Sequence, residues 1–416
     1  MALLFLCLIF GTGRTQKIEA AVQNVPESLE EESRLDTVGT DQETERAAVR
    51  EKKGQQEKEA GDTETDQAAA AQDELLAELD FDAIQQEVDS LLSSQQFSFA
   101  GTVRSLLQDG DPFRIFRAGN AVLSCAKTAF LAQKGLMKEL FLLVLAGAVL
   151  GSFSSLFEGK QVRDASFYMV YLLALALILK NFQSSGENLK AVITSLVAFM
   201  RILTPSYYLA AAAAGGASSA VMFYQMLLLV ILAVEKLLLA LVLPMIHIYL
   251  LIALVNDLSG EEILSHMTEL LETCVNGLLK SSLGVLVGMQ MIRNLIAPAL
   301  DSLRQMALWR TAGMIPGIGN AVNAVTELVA GSAVLIRNCF GVTAMLVLLA
   351  AGMVPAVQLL VSGLSFRLLA AAAQPVSDKR IAGCLAAAGK GYAMLLRLLL
   401  TVEVLFLLTI AILAGT

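Results

Sequence analysis

The sequence predicts an all-α, polytopic helical membrane protein of about six to eight spans, some of them broken or re-entrant. A disordered acidic N-terminal arm and a small helical extracytoplasmic subdomain precede the spans. Three observations carry this. From Leu136 to Thr416 long aliphatic runs follow one another closely, and Val221–Val234 and Gly341–Leu364 contain no charge at all. Crossing the hydrocarbon core takes about 20 apolar residues at 1.5 Å each, a length that several runs reach or approach. Mean hydropathy is +0.65, with 56% hydrophobic and only 16% charged residues. Charge is also divided: residues 1–135 carry 24 Asp+Glu against 13 Lys+Arg, residues 136–416 carry 14 against 17. Such asymmetry separates a water-exposed front from a membrane-embedded back. The acidic front speaks against nucleic acid, whose phosphates demand a basic surface.

Residues 1–21 read as a signal peptide. Ala2–Phe10 is an apolar run too short to span, and Ala20 and Ala21 suit cleavage. An uncleaved anchor is the alternative, because Arg14 and Lys17 follow the run and no base precedes it. Cys7 has no small-residue lipobox before it. Residues 22–74 form the acidic arm: Val22–Gln72 has no aromatic residue and too little apolar area to offset chain entropy. Residues 75–135 form the helical subdomain. Phe81, Ile84, Val88, Leu91 and Leu92 recur at helical steps, and Phe99, Val103, Leu106 and Leu107 repeat the pattern before the turn at Asp109–Pro112. This piece is expected against the membrane surface or a partner.

The membrane domain occupies 136–416. Phe141–Phe157 and Ser166–Phe182 are the first two expected spans, and Leu189–Pro205 is expected to break at Pro205. The small residues of Leu209–Ala220 permit close helix approach. Val221–Val255 is open to two readings: a hairpin at Glu235–Lys236, which is favoured, or one long helix bent at Pro244. Val275–Leu300 carries Gly284 and Gly288 on one face. Ile318–Ile336 is marginal, while Cys339–Val361 and Tyr392–Leu413 are strong. Lys160/Arg163, Arg304/Arg310 and Arg367/Lys379/Arg380/Lys390 mark cytoplasmic loops, and the base-free stretch 256–273 marks an external one. The N-terminal region is then extracytoplasmic. Segments Pro244–Ile263 and Pro355–Ile381 share a proline followed by a polar turn, but their spacings differ, which weighs against a repeat.

Glu235, Lys236, His247, Glu327, Arg397 and Glu403 are ionisable groups in or near these runs. Charges at bilayer depth are costly unless they pair or line water. They suggest a polar pathway; the competing and weightier reading is structural pairing, Glu235 with Lys236 at a loop. Arg397 and Glu403 lie six residues apart, on different faces of one helix, so each needs a partner elsewhere. Candidate helix breaks or hinges are Pro205, Pro244, Pro316, Gly317, Gly319 and Pro355. Met314–Asn320 fails as a dinucleotide loop because Val322 stands where the third glycine belongs. Gly383…Gly389-Lys390-Gly391 fails as a phosphate loop because Gly391 replaces the metal-binding hydroxyl. No C-x-x-C or H-E-x-x-H spacing joins the five cysteines and two histidines, and no catalytic set assembles. No cofactor and no enzymatic activity are expected.

Leu203-Thr-Pro205 followed by Gly215-Gly216-Ala-Ser-Ser-Ala220, Ile315-Pro316-Gly-Ile-Gly319 leading to Glu327–Gly341, and Ala373-Gln374-Pro375-Val-Ser-Asp378 make a recognisable set. Over about residues 75–416 the chain resembles the stage III sporulation protein AE family of endospore-forming bacteria. Gln374, Pro375 and Asp378 belong to its most specific segment. The acidic arm has no counterpart in that family, and the atypical signal peptide departs from it. The resemblance implies a multi-pass protein of the mother-cell membrane around the forespore. It also implies partners: the other proteins of the same sporulation operon, including a secretion-type ATPase and ring-forming proteins, and a forespore membrane protein. The implied role is that of a channel or transporter-like subunit of a feeding apparatus. A non-conducting scaffold that assembles the other channel proteins is the alternative, and a membrane enzyme has no supporting motif.

Overall fold

Backbone groups in an apolar run find partners only within their own helix, so long aliphatic segments continue as helices until a turn in water becomes available. The computed structural model describes residues 79–92, 97–109, 119–154, 160–213, 218–259, 264–312, 319–375 and 377–414. Every regular element among them is helical. They belong to one compact unit, Asp66–Thr416. The expected signal peptide and acidic arm, the glycines at 215 and 216, and Pro316 and Gly317 lie outside the described residues.

The helices are α1 (Phe81–Leu91), α2 (Phe99–Asp109), α3 (Gly119–Ser154), α4 (Lys160–Ala213), α5 (Ser218–Leu237), α6 (Leu243–Ser259), α7 (Ser265–Ala312), α8 (Gly319–Ala373) and α9 (Lys379–Ala414), with a π-helical segment Leu238–Val242 joining α5 to α6. Among the described residues five helical stretches are long and apolar enough to cross a membrane: Tyr168–Tyr207, Leu228–Ser259, Ser265–Ile292, Gly331–Ala373 and Lys379–Ile412. The expected span Phe141–Phe157 is only partly within the described residues, and two pairs of expected segments are continuous. Ser166–Phe182 and Leu189–Pro205 lie in one helix, and so do Cys339–Val361 and the part of Ile318–Ile336 that begins at Gly319. At 1.5 Å per residue α4 and α8 are each about 80 Å long, far more than a bilayer core.

Three expected breaks need correction. The hairpin at Glu235–Lys236 does not form; with no turn residue there, α5 runs on through the π segment into α6. Pro205 and Pro355 lie inside unbroken helices. Beside Pro205 the Thr204 hydroxyl donates to the Met200 carbonyl at 2.6 Å, while the Arg201 carbonyl is the one that the proline leaves without its helical donor. Pro244 distorts its helix without ending it. Its ring nitrogen cannot reach back to residue 240, and just before it the Leu243 N–H bonds Leu238, five residues back.

Packing centres on α9, which contacts α4, α5, α6, α7 and α8, most extensively α8. Small residues set that contact. A Cβ at Gly363 would lie 3.2 Å from Tyr392 Cβ, and one at Gly389 would meet Arg367 Cγ at 2.8 Å and the Gly363 carbonyl at 3.2 Å. Backbone therefore meets backbone, the arrangement by which membrane helices gain dispersion energy without a hydrophobic driving force. Outward-facing Met169, Leu229, Met291 and Leu295 are all more than half exposed, and hydrocarbon is the solvent that suits them.

The two short helices join the same core. Asp80 caps α1, its Oδ1 accepting from the Ala83 N–H at 3.1 Å, and Ile84 and Val88 are fully buried. Gln85 clamps α1 to α2: its Nε2 donates to the Phe97 carbonyl at 2.7 Å and its Oε1 accepts from the Phe99 N–H at 2.8 Å. Phe99 meets Phe340 of α8 edge-on at 5.0 Å, and Phe81 and Tyr207 surround the same ring. The expected subdomain boundary at 135/136 falls within α3, which runs from Gly119 to Ser154.

Replacing Gly389 by Leu drives α8 from α9, and overpacking of this kind costs about 1–3 kcal/mol. Gly284→Ala is the control, since nothing lies within 4 Å of its added Cβ. Thermal unfolding of the detergent-solubilised variants should show a clear loss for the first and none for the second.

Candidate functional site

Buried polar side chains are spread over the bundle, Ser206 on α4, Ser282 on α7, and Ser332, Arg337, Thr343 and Ser365 on α8 among them, and α9 carries Tyr392, Glu403 and Thr409. At its start the corner after α8 is built by the Gln374-Pro375…Asp378 segment. The Gln374 N–H closes the last turn of α8 on the Ala370 carbonyl at 3.0 Å, Pro375 stops the helix, and Asp378 Oδ1 accepts from the Arg380 N–H at 3.0 Å to open α9. The segment is thus a stop-and-start signal.

Against this corner packs the end of α6. The Tyr171 hydroxyl donates to the Leu254 carbonyl at 2.5 Å and hydrogen-bonds the Cys384 thiol. The Asp257 carboxyl fills the space that Gly383 leaves, where a Cβ would be 3.0 Å away. Arg380 Nη1 reaches the Leu258 carbonyl at 3.4 Å. The stretch at 256–259 and the Arg380 corner therefore share one end of the bundle. They cannot mark opposite membrane faces, and the charge-based assignment of the 256–273 loop is corrected here. The carboxylates and bases at this end attract one another, which loop-by-loop counting does not include.

Two turns further into α9 a second group forms around Tyr392. Asn181 Nδ2 donates to the Tyr392 hydroxyl at 2.6 Å, the Ser185 hydroxyl lies 3.2 Å from it, and Ser185 Oγ donates to the Asn181 carbonyl at 3.0 Å. With Ser185's proton so committed, Tyr392 donates to Ser185, and the three residues close a satisfied ring. Phe182 stands edge-on to both Tyr392 and His247, at 5.2 and 5.3 Å, and Phe366 stacks on Tyr392. His247 is half-buried: its Nδ1 lies 2.8 Å from the Leu243 carbonyl and its ring lies over Gly186, where a Cβ would be 2.6 Å away.

The other expected residues scatter. Half-buried Glu235 lies within the electrostatic reach of Arg201 on α4 and of its exposed neighbour Lys236, both on helices and not across a turn. Arg397 is exposed and its Nη1 donates to Asn276 Oδ1 of α7 at 3.0 Å. Glu403 is buried against Gly352 of α8. Their separate partners agree with their placement about 120° apart around α9. Gly319 is the first residue of α8; Glu327 also lies in α8, and its side chain is outside the described residues.

Sequence reading missed Asn181, Ser185, Tyr171, Asp257 and Gly186. The pair Asn181 and Ser185 at a four-residue spacing beside an apolar run was the available signal. Between Tyr392 and Glu403 lie Leu395, Leu398, Leu399 and Val402, all buried, so an aliphatic layer of about 16 Å along the helix axis separates the polar groups. Among the described residues no three His, Cys, Asp or Glu side chains gather as a metal site.

A family model described as stage III sporulation protein AE matches residues 97–416. The stage III sporulation protein AE of Bacillus subtilis (strain 168) is 22% identical over 283 residues, covering 68% of this chain and 71% of that protein. No solved structure matches.

Tyr392→Phe removes the hydroxyl that joins Asn181 to Ser185 and should cost about 1 kcal/mol, the usual worth of such bonds between membrane helices. Gly186→Val pushes the His247 ring off α4 and should cost more. Unfolding of both variants side by side in detergent checks the order.

Proposed function

The chain belongs to the stage III sporulation protein AE family, and from that premise we propose that it is a multi-pass, non-enzymatic subunit of a mother-cell-to-forespore channel complex. Its place is the mother-cell membrane around the forespore, with the N-terminal region extracytoplasmic. Its partners are the other proteins of the same operon, a secretion-type ATPase and ring-forming proteins among them, and a forespore membrane protein. The observation that supports a transporter-like role is the row Cys384, Tyr392 and Glu403 on the inner side of α9, because polar groups held in a bundle core accompany ion and substrate pathways.

A second reading, a non-conducting scaffold, is favoured by the aliphatic layer between Tyr392 and Glu403 and by the closed hydrogen-bond ring at Tyr392. Glu235→Gln and Glu403→Gln separate the two readings in a sporulating host. A conducting subunit should accumulate and co-purify with its partners while spore yield falls. If both variants sporulate at wild-type levels, the scaffold reading stands.

Orientation has its own test. Cysteines placed at Asp80, Lys160 and Lys379 in a cysteine-free background should react with a membrane-impermeant maleimide from outside only at position 80. Labelling of position 160 or 379 from outside would reverse the topology.

A further inference from the structure

α9 carries five side chains that are charged in water at neutral pH: Lys379, Arg380, Lys390, Arg397 and Glu403. Lys379, Lys390 and Arg397 are exposed and Arg380 half-buried, whereas Glu403 retains 7% of its surface. Its position is midway along the apolar run Tyr392–Leu413.

Its seat is specific. A Cβ on Gly352 would lie 2.5 Å from Glu403 Cδ and 2.6 Å from both carboxyl oxygens, so the headgroup occupies the volume of an absent side chain. Any residue larger than glycine at 352 would expel it. The residues next in sequence to the two partners are apolar and buried: Ala351 on α8, and Val402, Leu405 and Phe406 on α9. Among the described residues its carboxyl forms no hydrogen bond, and Arg337, the buried base of α8, stands fifteen residues before Gly352, about 22 Å along the helix. Arg397, the nearest base on its own helix, is turned toward Asn276. An ionised carboxylate in such a place has neither counter-ion nor donors, whereas the neutral acid needs only the acceptors that a bared helix backbone presents.

We infer that Glu403 is a proton-binding site. The carboxylate takes one proton from water, and the resulting neutral acid occupies the seat on Gly352; release returns the proton to water. Occupancy is linked to the α8–α9 contact, since the neutral form fits the closed seat better than the ionised form, and linkage of this kind is reciprocal. The inference holds whether the chain conducts or only scaffolds.

The test is infrared spectroscopy of the reconstituted full chain over a pH series, in Na+ and in choline buffers, for wild type, Glu403→Gln and Gly352→Ala. The wild-type-minus-Glu403→Gln spectrum should contain the C=O stretch of a carboxylic acid in apolar surroundings. That band should be replaced by carboxylate bands as pH rises, identically in both salts, and Gly352→Ala should move its pH profile. Three results would overturn the site: carboxylate bands at every pH, an acid band that pH does not alter, or displacement of the acid band by Na+. An unmoved profile in Gly352→Ala would overturn the role of the seat.

Discussion

The contact between α8 and α9 at Gly363 and Gly389 is the constraint on which the rest of the bundle depends. Lipid tails are as apolar as leucine, so these helices gain nothing from hiding aliphatic surface and must gain it from closeness. Glycine on both sides lets the backbones touch, and α9 then becomes the axis that α4, α5, α6 and α7 surround. The same device recurs at smaller scale: Gly391 admits the Phe182 ring, Gly186 the His247 ring, Gly383 the Asp257 carboxyl and Gly352 the Glu403 carboxyl. Each absent side chain is occupied by a group from another helix.

That use of glycine explains how a chain so poor in internal charge holds polar groups in place. Asn181, Ser185 and Tyr392 satisfy one another, Tyr171 and Arg380 find carbonyls at the end of α6, and Arg397 finds Asn276. Glu403 stands apart, held by shape. Along α9 the polar groups therefore come as one zone at the α6/α9 end, one around Tyr392, an aliphatic layer and the Glu403 carboxyl, while Arg337 is a second buried charge on α8. This spacing bears on the choice between a conducting subunit and a scaffold.

Much of the fold was legible in the residues. The stripe Phe81, Ile84, Val88 is the buried face of α1, and the six-residue separation of Arg397 from Glu403 put their partners on different helices. The breaks at Pro205 and Pro355 and the hairpin at Glu235 were not, because a proline's effect depends on whether neighbouring helices and hydroxyls hold the backbone in register. Nor was the common end shared by 256–259 and Arg380, since charge counts along a chain carry no information about which loops meet.

Composition and periodicity by themselves determined that this is a helical membrane protein with an acidic front, because no aqueous fold can hide runs of that length and lipid leaves the backbone few alternatives to the helix. Tertiary structure decided where each helix continues, which polar groups meet and which carboxyl is left alone. These outcomes depend on which side chain enters the space beside a glycine on another helix. Residues far apart in the chain settle that, and no local pattern encodes it.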